Sequence, residues 1–424
     1  LGRVDNITHT LAGVVVAELA LHLRQRGARR DAPTSLARAA WLASAGANNV
    51  PDLDFLYAGI IERPLGYLLH HRGHTHTFAL APLVALLPFA AAVALERWTA
   101  RKAQEKEAPG RASWLFLYAL SVLGCVTHVL LDATNNYGVH PFWPLDGAWV
   151  YGDTVFIVEP LWWVVLAAPL VFTPRSGWGR ALLAIPPVAA IVLAIATRMV
   201  LPPFVALLGA LTPLLVFASR RASRPARAWL AGGLGVAVLA VFAGSGALAR
   251  GRAVEVLGET FPVARLHDLV LSPMPGNPIC WSGLTVETEG TALRYRRLVV
   301  STWPSAITAE GCHADPPREV MAPRVPITVP SAIDVRLYDT LEVPLDRLRT
   351  LAREDCRVAA FTVFSRAPFV LEAYDGTLVG DARYDMSRER SWSKMVLDGE
   401  AGECPPFVPG WDPPRADVLG AEAP

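Results

Sequence analysis

Long apolar runs joined by short polar connections fill the first 250 residues, whereas 251–424 mixes apolar and polar positions like an ordinary soluble protein. The runs 77–97, 113–133, 155–173, 181–201, 203–219 and 228–249 each come close to the roughly 20 apolar residues a helix needs to cross a bilayer. Two earlier stretches are less regular. Residues 7–23 carry His9, Glu18 and His22, and 36–50 is short and ends at Asn48 and Asn49. They are expected to cross as short helices or to lie as a half-inserted pair. No removable signal peptide is expected, since no basic segment leads into a short apolar core and cleavage site. The fold class that follows is an α-helical polytopic membrane domain over 1–250, with about six to eight membrane helices.

The later half predicts a small α+β domain over 251–404. Period-2 alternation marks strands at 284–288 and 292–300 around Glu289 and Gly290, and at 369–374 and 377–384 around Asp375 and Gly376. Leu345, Leu348 and Leu351 put a helix over 344–355. From Pro405 to the end, proline-rich and weakly apolar sequence predicts a disordered tail.

Charge gives the orientation. Arg24, Arg26, Arg29, Arg30 and Arg38 lie between the first two segments, and Arg97, Arg101, Lys102, Lys106 and Arg111 between the third and fourth. Arg175 and Arg180, then Arg220, Arg221, Arg224 and Arg227, occupy later alternate connections, while 51–76 and 134–154 offer only Arg63 and Arg72. The positive-inside rule makes the basic loops cytoplasmic, which sends 51–76, 134–154 and everything after residue 249 to the outer face of the membrane. Cys280, Cys312, Cys356 and Cys404 all fall in that outer half, where two disulfides in any of three pairings can form. The net charge of +1 leaves no basic excess for nucleic acid.

Against this apolar background, residues 70–76 hold His70, His71, Arg72, His74 and His76. At the same outer depth lie His9, Asp52 and Asp54, and the pair His128 and Asp132, which share one helical face. Each has an ordinary reading: His9 as a helix cap, the aspartates as caps of the next helix, His128 with Asp132 as an interhelical hydrogen bond, His70 and His74 at the headgroups. Their convergence at one depth favours a shared polar site. Histidine with carboxylate is a donor set for zinc above all, or for manganese or iron. Asp54 or Asp132 would act as a general base, or would orient His71 or His128. Arg72 would neutralise a phosphate.

Residues 5–13, with His9 at their centre, resemble the opening of the YbcI/YdjM/YfhP-like family of bacterial membrane-bound, predicted metal-dependent hydrolases. Residues 51–54, 71–77, 128–132, 136–138 and 156–160 resemble its later motifs in order, with Glu159 where aspartate is more usual. Longer members are similar at 272–278 with Trp281 and at 381–384, so the likeness reaches from residue 5 to about 385. The resemblance implies metal-site positions at His9, Asp52, Asp54, His71, His76, His128 and Asp132. In motif style the family is similar to zinc-dependent phospholipase C enzymes. A membrane hydrolase of an ester or phosphoester, on a lipid headgroup or envelope component, is the expected function, with membrane lipid as a partner and Asn277, Trp281, Arg383 and Tyr384 facing the site. A non-enzymatic membrane regulator held together by metal is the alternative, and a metal transporter ranks last because no polar path continues across the bilayer.

Overall fold

The computed structural model describes residues 6–26, 33–59, 61, 63–105, 110–312, 324–327, 332–373, 376–397 and 402–420. Its first part comprises α1 (Asn6–Arg26), α2 (Thr34–Ala47), a 3-10 turn (Val50–Asp54), α3 (Phe55–Ala58) and α4 (Leu65–His70). A second 3-10 turn (His74–His76) leads into α5 (Ala81–Val84), α6 (Leu86–Lys102) and α7 (Arg111–Asp132). Then come α8 (Pro160–Ala167), α9 (Gly177–Thr197), α10 (Pro202–Ser219) and α11 (Arg224–Thr260).

Among the described residues, six helices are long and apolar enough to cross a membrane: α1, the α5–α6 unit, α7, α9, α10 and α11. The stretch 7–23, expected to be a short crossing helix or half of an inserted pair, is thus one of the full-length helices. The run 155–173 is instead helical only over Pro160–Leu170. Prolines 160 and 169 and the loop before them restrict the helix, a feature that a hydropathy average does not register. This segment nevertheless runs antiparallel to α11. Asp153 pairs with Arg250 at 3.2 Å, the Trp162 indole donates to the Gly235 carbonyl at 3.2 Å, and Arg227 donates to the Phe172 carbonyl. Residues 227–250 of a helix cover about 35 Å at 1.5 Å per residue, close to a bilayer core.

The short α2 lies among its neighbours on small side chains. Ala39, Ala40, Ala43 and Ala47 are fully buried. A Cβ on Gly124 of α7 would meet Ala47 Cβ at 2.7 Å and the Ser44 carbonyl oxygen at 2.8 Å, so only glycine allows this approach. Gly124→Leu is expected to force α2 and α7 apart, at the ~1–3 kcal/mol typical of overpacking. Gly233→Leu, whose Cβ would meet nothing within 4 Å, is the matched control. Thermal melts in detergent should separate the two; equal melting temperatures would contradict the packing.

The C-terminal region contains β1 (Arg265–Met274), β2 (Asn277–Glu289), β3 (Ala292–Ser301), β4 (Arg324–Pro326), β5 (Val335–Pro344), α12 (Leu345–Glu354) and α13 (Cys356–Phe364). It continues with β6 (Pro368–Ala373), β7 (Gly376–Asp381), β8 (Lys394–Leu397) and α14 (Ala416–Leu419). Two antiparallel sheets result, ordered β1-β2-β3-β5-β4 and β6-β7-β8. Both expected hairpins form, as β2–β3 and β6–β7, though Asp375 of the second turn lies outside the described residues. The first sheet is buried on both faces. Leu269, Leu271, Trp281, Leu298 and Val300 pack toward the membrane helices, while Val270, Leu284, Val286 and Tyr295 join Leu65, Leu68, Leu69 and Phe361 in a second core.

Three features refine or depart from expectation. The boundary drawn at residue 250 falls inside α11, which continues to Thr260 and carries the sheet. Cys280 pairs with Cys312 and Cys356 with Cys404, which selects one of the three pairings. The proline-rich segment after Pro405 is not a disordered tail over its described length. Trp411 is buried, donates its indole N–H to the Leu69 carbonyl at 3.2 Å, and stacks on His140 at 4.0 Å between ring centres. That aromatic anchor and the Cys404 tether fix a segment whose composition alone predicts disorder. Phe407 from the same segment stacks on His70, which is buried there.

Candidate metal centre

Four elements bring the polar residues together. Asp52 and Asp54 come from the 3-10 turn after α2, His71 and Arg72 from the end of α4, His76 from the second 3-10 turn, and His128 with Asp132 from the last turns of α7. His9 enters from the first turn of α1.

The two central imidazoles are held from behind. His128 Nδ1 donates to the Asn48 carbonyl at 2.8 Å, and His76 Nδ1 lies 3.3 Å from Asp54 Oδ2 and 3.1 Å from Thr75 Oγ1. A hydrogen bonded at Nδ1 leaves the Nε2 lone pair free for a metal. The two Nε2 atoms converge to 2.9 Å. Asp132 Oδ2 lies 3.3 Å from each of them, and Asp52 Oδ1 lies 3.4 Å from His76 and 3.5 Å from His128. A tetrahedral ion with bonds of ~2.0–2.1 Å holds its ligands ~3.3–3.4 Å apart, so the four histidine–aspartate spacings fit one bound cation, while the two Nε2 atoms stand closer together than that. Asp52, His76, His128 and Asp132 therefore form a group that could hold a metal ion.

The electrostatics agree. Burial alone would raise Asp54, but hydrogen bonds and charge from His71 and His76 hold it down at about 2. Burial is likewise overcome at Asp52, which His128 and His76 keep well below the usual carboxylate range. Burial lowers His76, yet hydrogen bonds to Asp132, Asp52 and Asp54 raise it well above the ordinary histidine value. The cluster favours a positive charge at this point, supplied by a proton or by a metal.

The remaining expected residues surround this group without joining it. His9 Nε2 lies 3.3 Å from Asp132 Oδ1, the oxygen turned away from the two imidazoles, and its ring stacks on His128 at 4.0 Å. Asp54 is fully buried and accepts from His71 Nδ1 at 3.1 Å and from the Arg72 N–H at 2.7 Å, so it stands behind the cluster. The His71 ring is 6.0 Å from that of His76. Arg72, at φ 59°, directs Nη2 to Asp132 Oδ1 at 2.8 Å and Nη1 to Asn135 Oδ1 at 2.8 Å. A non-glycine residue in this conformation costs ~1–3 kcal/mol, which the surrounding bonds offset. His74 lies beside Trp143 and Trp411, away from the donors.

A cavity of about 2160 Å³ opens onto His9, Asp52, His71, Arg72 and Asp132. Arg383 and Tyr384 line it as expected. Asn277 and Trp281 do not: Asn277 accepts from the N–H groups of Ile279 and Cys280, and Trp281 lies against Gly246 of α11 with its indole on Ser245 Oγ at 3.0 Å. Asn48 and Asn135 were not anticipated. Asn48 acts through its backbone carbonyl, which no side-chain pattern reveals, and Asn135 stands beside the matched motif at 136–138.

The ordered motifs meet at one centre, and the family comparison covers the N-terminal part, less than half of the chain. Residues 4–201 match the YdjM inner membrane protein family. The match and the six long helices make this a membrane protein. All four candidate donors lie within the matched stretch, which is shorter than the expected likeness to about residue 385 and leaves out both sheets. Family and fold still meet at one contact: the Glu159 carboxylate accepts from the N–H of Gly276, in the turn between β1 and β2, at 3.1 Å. No curated protein and no solved structure gives a significant match to the chain.

Proposed function

We propose that the protein is a membrane-bound, metal-dependent phosphoester hydrolase, working on a lipid or other envelope component at the outer face of the inner membrane. The observation that carries this is the convergence of His76 Nε2 and His128 Nε2, each fixed from behind, with two carboxylate oxygens at tetrahedral spacing. The nitrogen and oxygen donors suit zinc, with manganese or iron as alternatives. When bound, such a metal polarises a phosphoryl oxygen and acidifies water.

The chain's own residues divide the remaining work. Hydrolysis joins the oxygen of water to phosphorus, breaks the bond from phosphorus to the leaving alcohol, and delivers a proton to that alcohol. His71 is placed to hold and move this proton. Its Nδ1 is fixed on Asp54, its ring stacks on Tyr67 at 4.8 Å, and it borders the cavity. Asp54 orients His71 and His76 and is too deeply buried to act as the base itself. Arg72 holds Asp132 in position and has both terminal nitrogens engaged, so its part is positioning and not phosphate capture.

A structural metal in a non-enzymatic regulator is the second reading, because four protein donors are enough for a closed tetrahedral site. The open cavity beside the donors favours the enzyme, since a structural ion needs no such access. The test is turnover by the purified, zinc-loaded full chain on phosphomonoester and phosphodiester lipids and on soluble esters. His71→Ala should keep its metal yet lose ~10²–10⁴-fold in kcat. Full metal occupancy with no turnover on any substrate would favour the regulator. The outer placement rests on the arginine pattern and is supported by the two disulfides. A membrane-impermeant maleimide should label Cys280, Cys312, Cys356 and Cys404 in intact spheroplasts only after reduction. Labelling that requires detergent would place the sheets in the cytoplasm.

A further inference from the structure

The cavity is roomy enough for a lipid headgroup and the start of its tails. At about 2160 Å³ it exceeds twice the upper end of the ~300–1,000 Å³ of ordinary small-molecule sites. Its position is fixed by the membrane helices. Asn6 and His9 from the first turn of α1, Asp132 from the last of α7, and Thr197 from the last of α9 all line it. Three helix ends at one wall place the opening at the boundary between bilayer and water.

Two kinds of side chain meet there. Phe55 and Met199 line the cavity and are 52% and 50% exposed, and Leu56 beside them is 67% exposed. Apolar side chains left open at this depth suit contact with lipid. Arg63 and Arg198, both exposed, lie in the same lining. Of the described cations in the lining, Arg72, Arg357, Arg383 and Lys394 pair with Asp132, Asp355, Asp381 and Asp385, so the charge offered to a ligand is that of Arg63 and Arg198.

We infer that this cavity receives a phosphorylated membrane lipid sideways from the bilayer, with its head drawn inward by Arg63 and Arg198 and its tail leaving past Phe55 and Met199. The inference rests on the hydrolase reading only for the fate of the head, since binding depends on residues outside the metal donors. Guanidinium groups pair readily with phosphate oxygens, and burial of the first tail carbons holds the lipid against the apolar lip.

Native mass spectrometry of the full chain in detergent tests this with phosphatidic acid as the probe. Diacylglycerol tests the tail without phosphate, and inorganic phosphate tests the head without a tail. Phosphatidic acid adducts should form on the parent protein and on His76→Ala, and weaken at least tenfold on Arg63→Glu/Arg198→Glu. Met199→Asp should also weaken them. Neither diacylglycerol nor inorganic phosphate should compete. Equal binding of diacylglycerol, displacement by inorganic phosphate, or adducts indifferent to the charge reversal at an unchanged melting temperature would each overturn the inference. Because His76→Ala is expected to bind lipid without turnover, failure of the hydrolase reading would show separately, as lipid binding with no hydrolysis by the parent protein.

Discussion

His76→Ala and His128→Ala should each reduce metal content to background in elemental analysis of purified protein, whereas His71→Ala should retain it. The contrast follows from the geometry. His76 and His128 each place Nε2 about one tetrahedral edge from both Asp52 and Asp132, while His71 turns its Nδ1 to Asp54 and stands outside the donor group. Removing one of four donors eliminates a bond that solvent replaces poorly in a buried site. Asp54→Asn should act more mildly, since a partner behind the ligand typically accounts for ~10–100-fold in affinity. Metal loss in His71→Ala equal to that in His76→Ala would move His71 into the donor set and leave the proton role unfilled.

The second large effect concerns stability. Arg383→Met is expected to destabilise the folded protein by ~3–5 kcal/mol, the usual result of leaving one member of a buried ion pair without its partner. Arg383 and Asp381 are both fully buried and pair at 2.9 Å. Arg383 also donates to the carbonyls of Asn136 and Tyr137 at 2.8 and 3.3 Å, which joins the β6–β8 sheet to the connection carrying Asn135. Asp381 accepts in addition from Ser365 Oγ and the Arg366 N–H. Denaturant unfolding in detergent measures the loss. Adding Asp381→Asn should recover part of it, because the uncompensated carboxylate is then gone. A change below about 0.5 kcal/mol, the range of ordinary surface substitutions, would show that the pair carries no such load.

The four candidate donors stand out in the sequence because their types are conspicuous in apolar surroundings. His128 and Asp132 share a helical face by spacing alone, and Asp52 and His76 sit in short polar connections of the same parity. The division of labour was not legible. Asp54 and Asp52 are two residues apart and chemically identical, yet one reaches the donor group and the other backs His71 and His76. That choice is made by the direction of a 3-10 turn. The sequence leaves Arg72 open as a phosphate ligand and says nothing of the bonds it makes to Asp132 and Asn135. Among the elements, hydropathy located apolar segments but not helix continuity, so 155–173 and 7–23 exchanged roles. The tail shows the converse, since composition averages over Trp411, the residue that anchors it.

Asp54 has a consequence for how this chain can vary. One carboxylate serves His71, His76 and the backbone of Arg72, so the proposed proton carrier and the candidate metal donors share a single support. A substitution at any of these positions changes the selective value of substitutions at the others. They are therefore expected to be inherited as a block, and a lineage that loses the chemistry should lose all of them within a short span of descent instead of eroding one residue at a time.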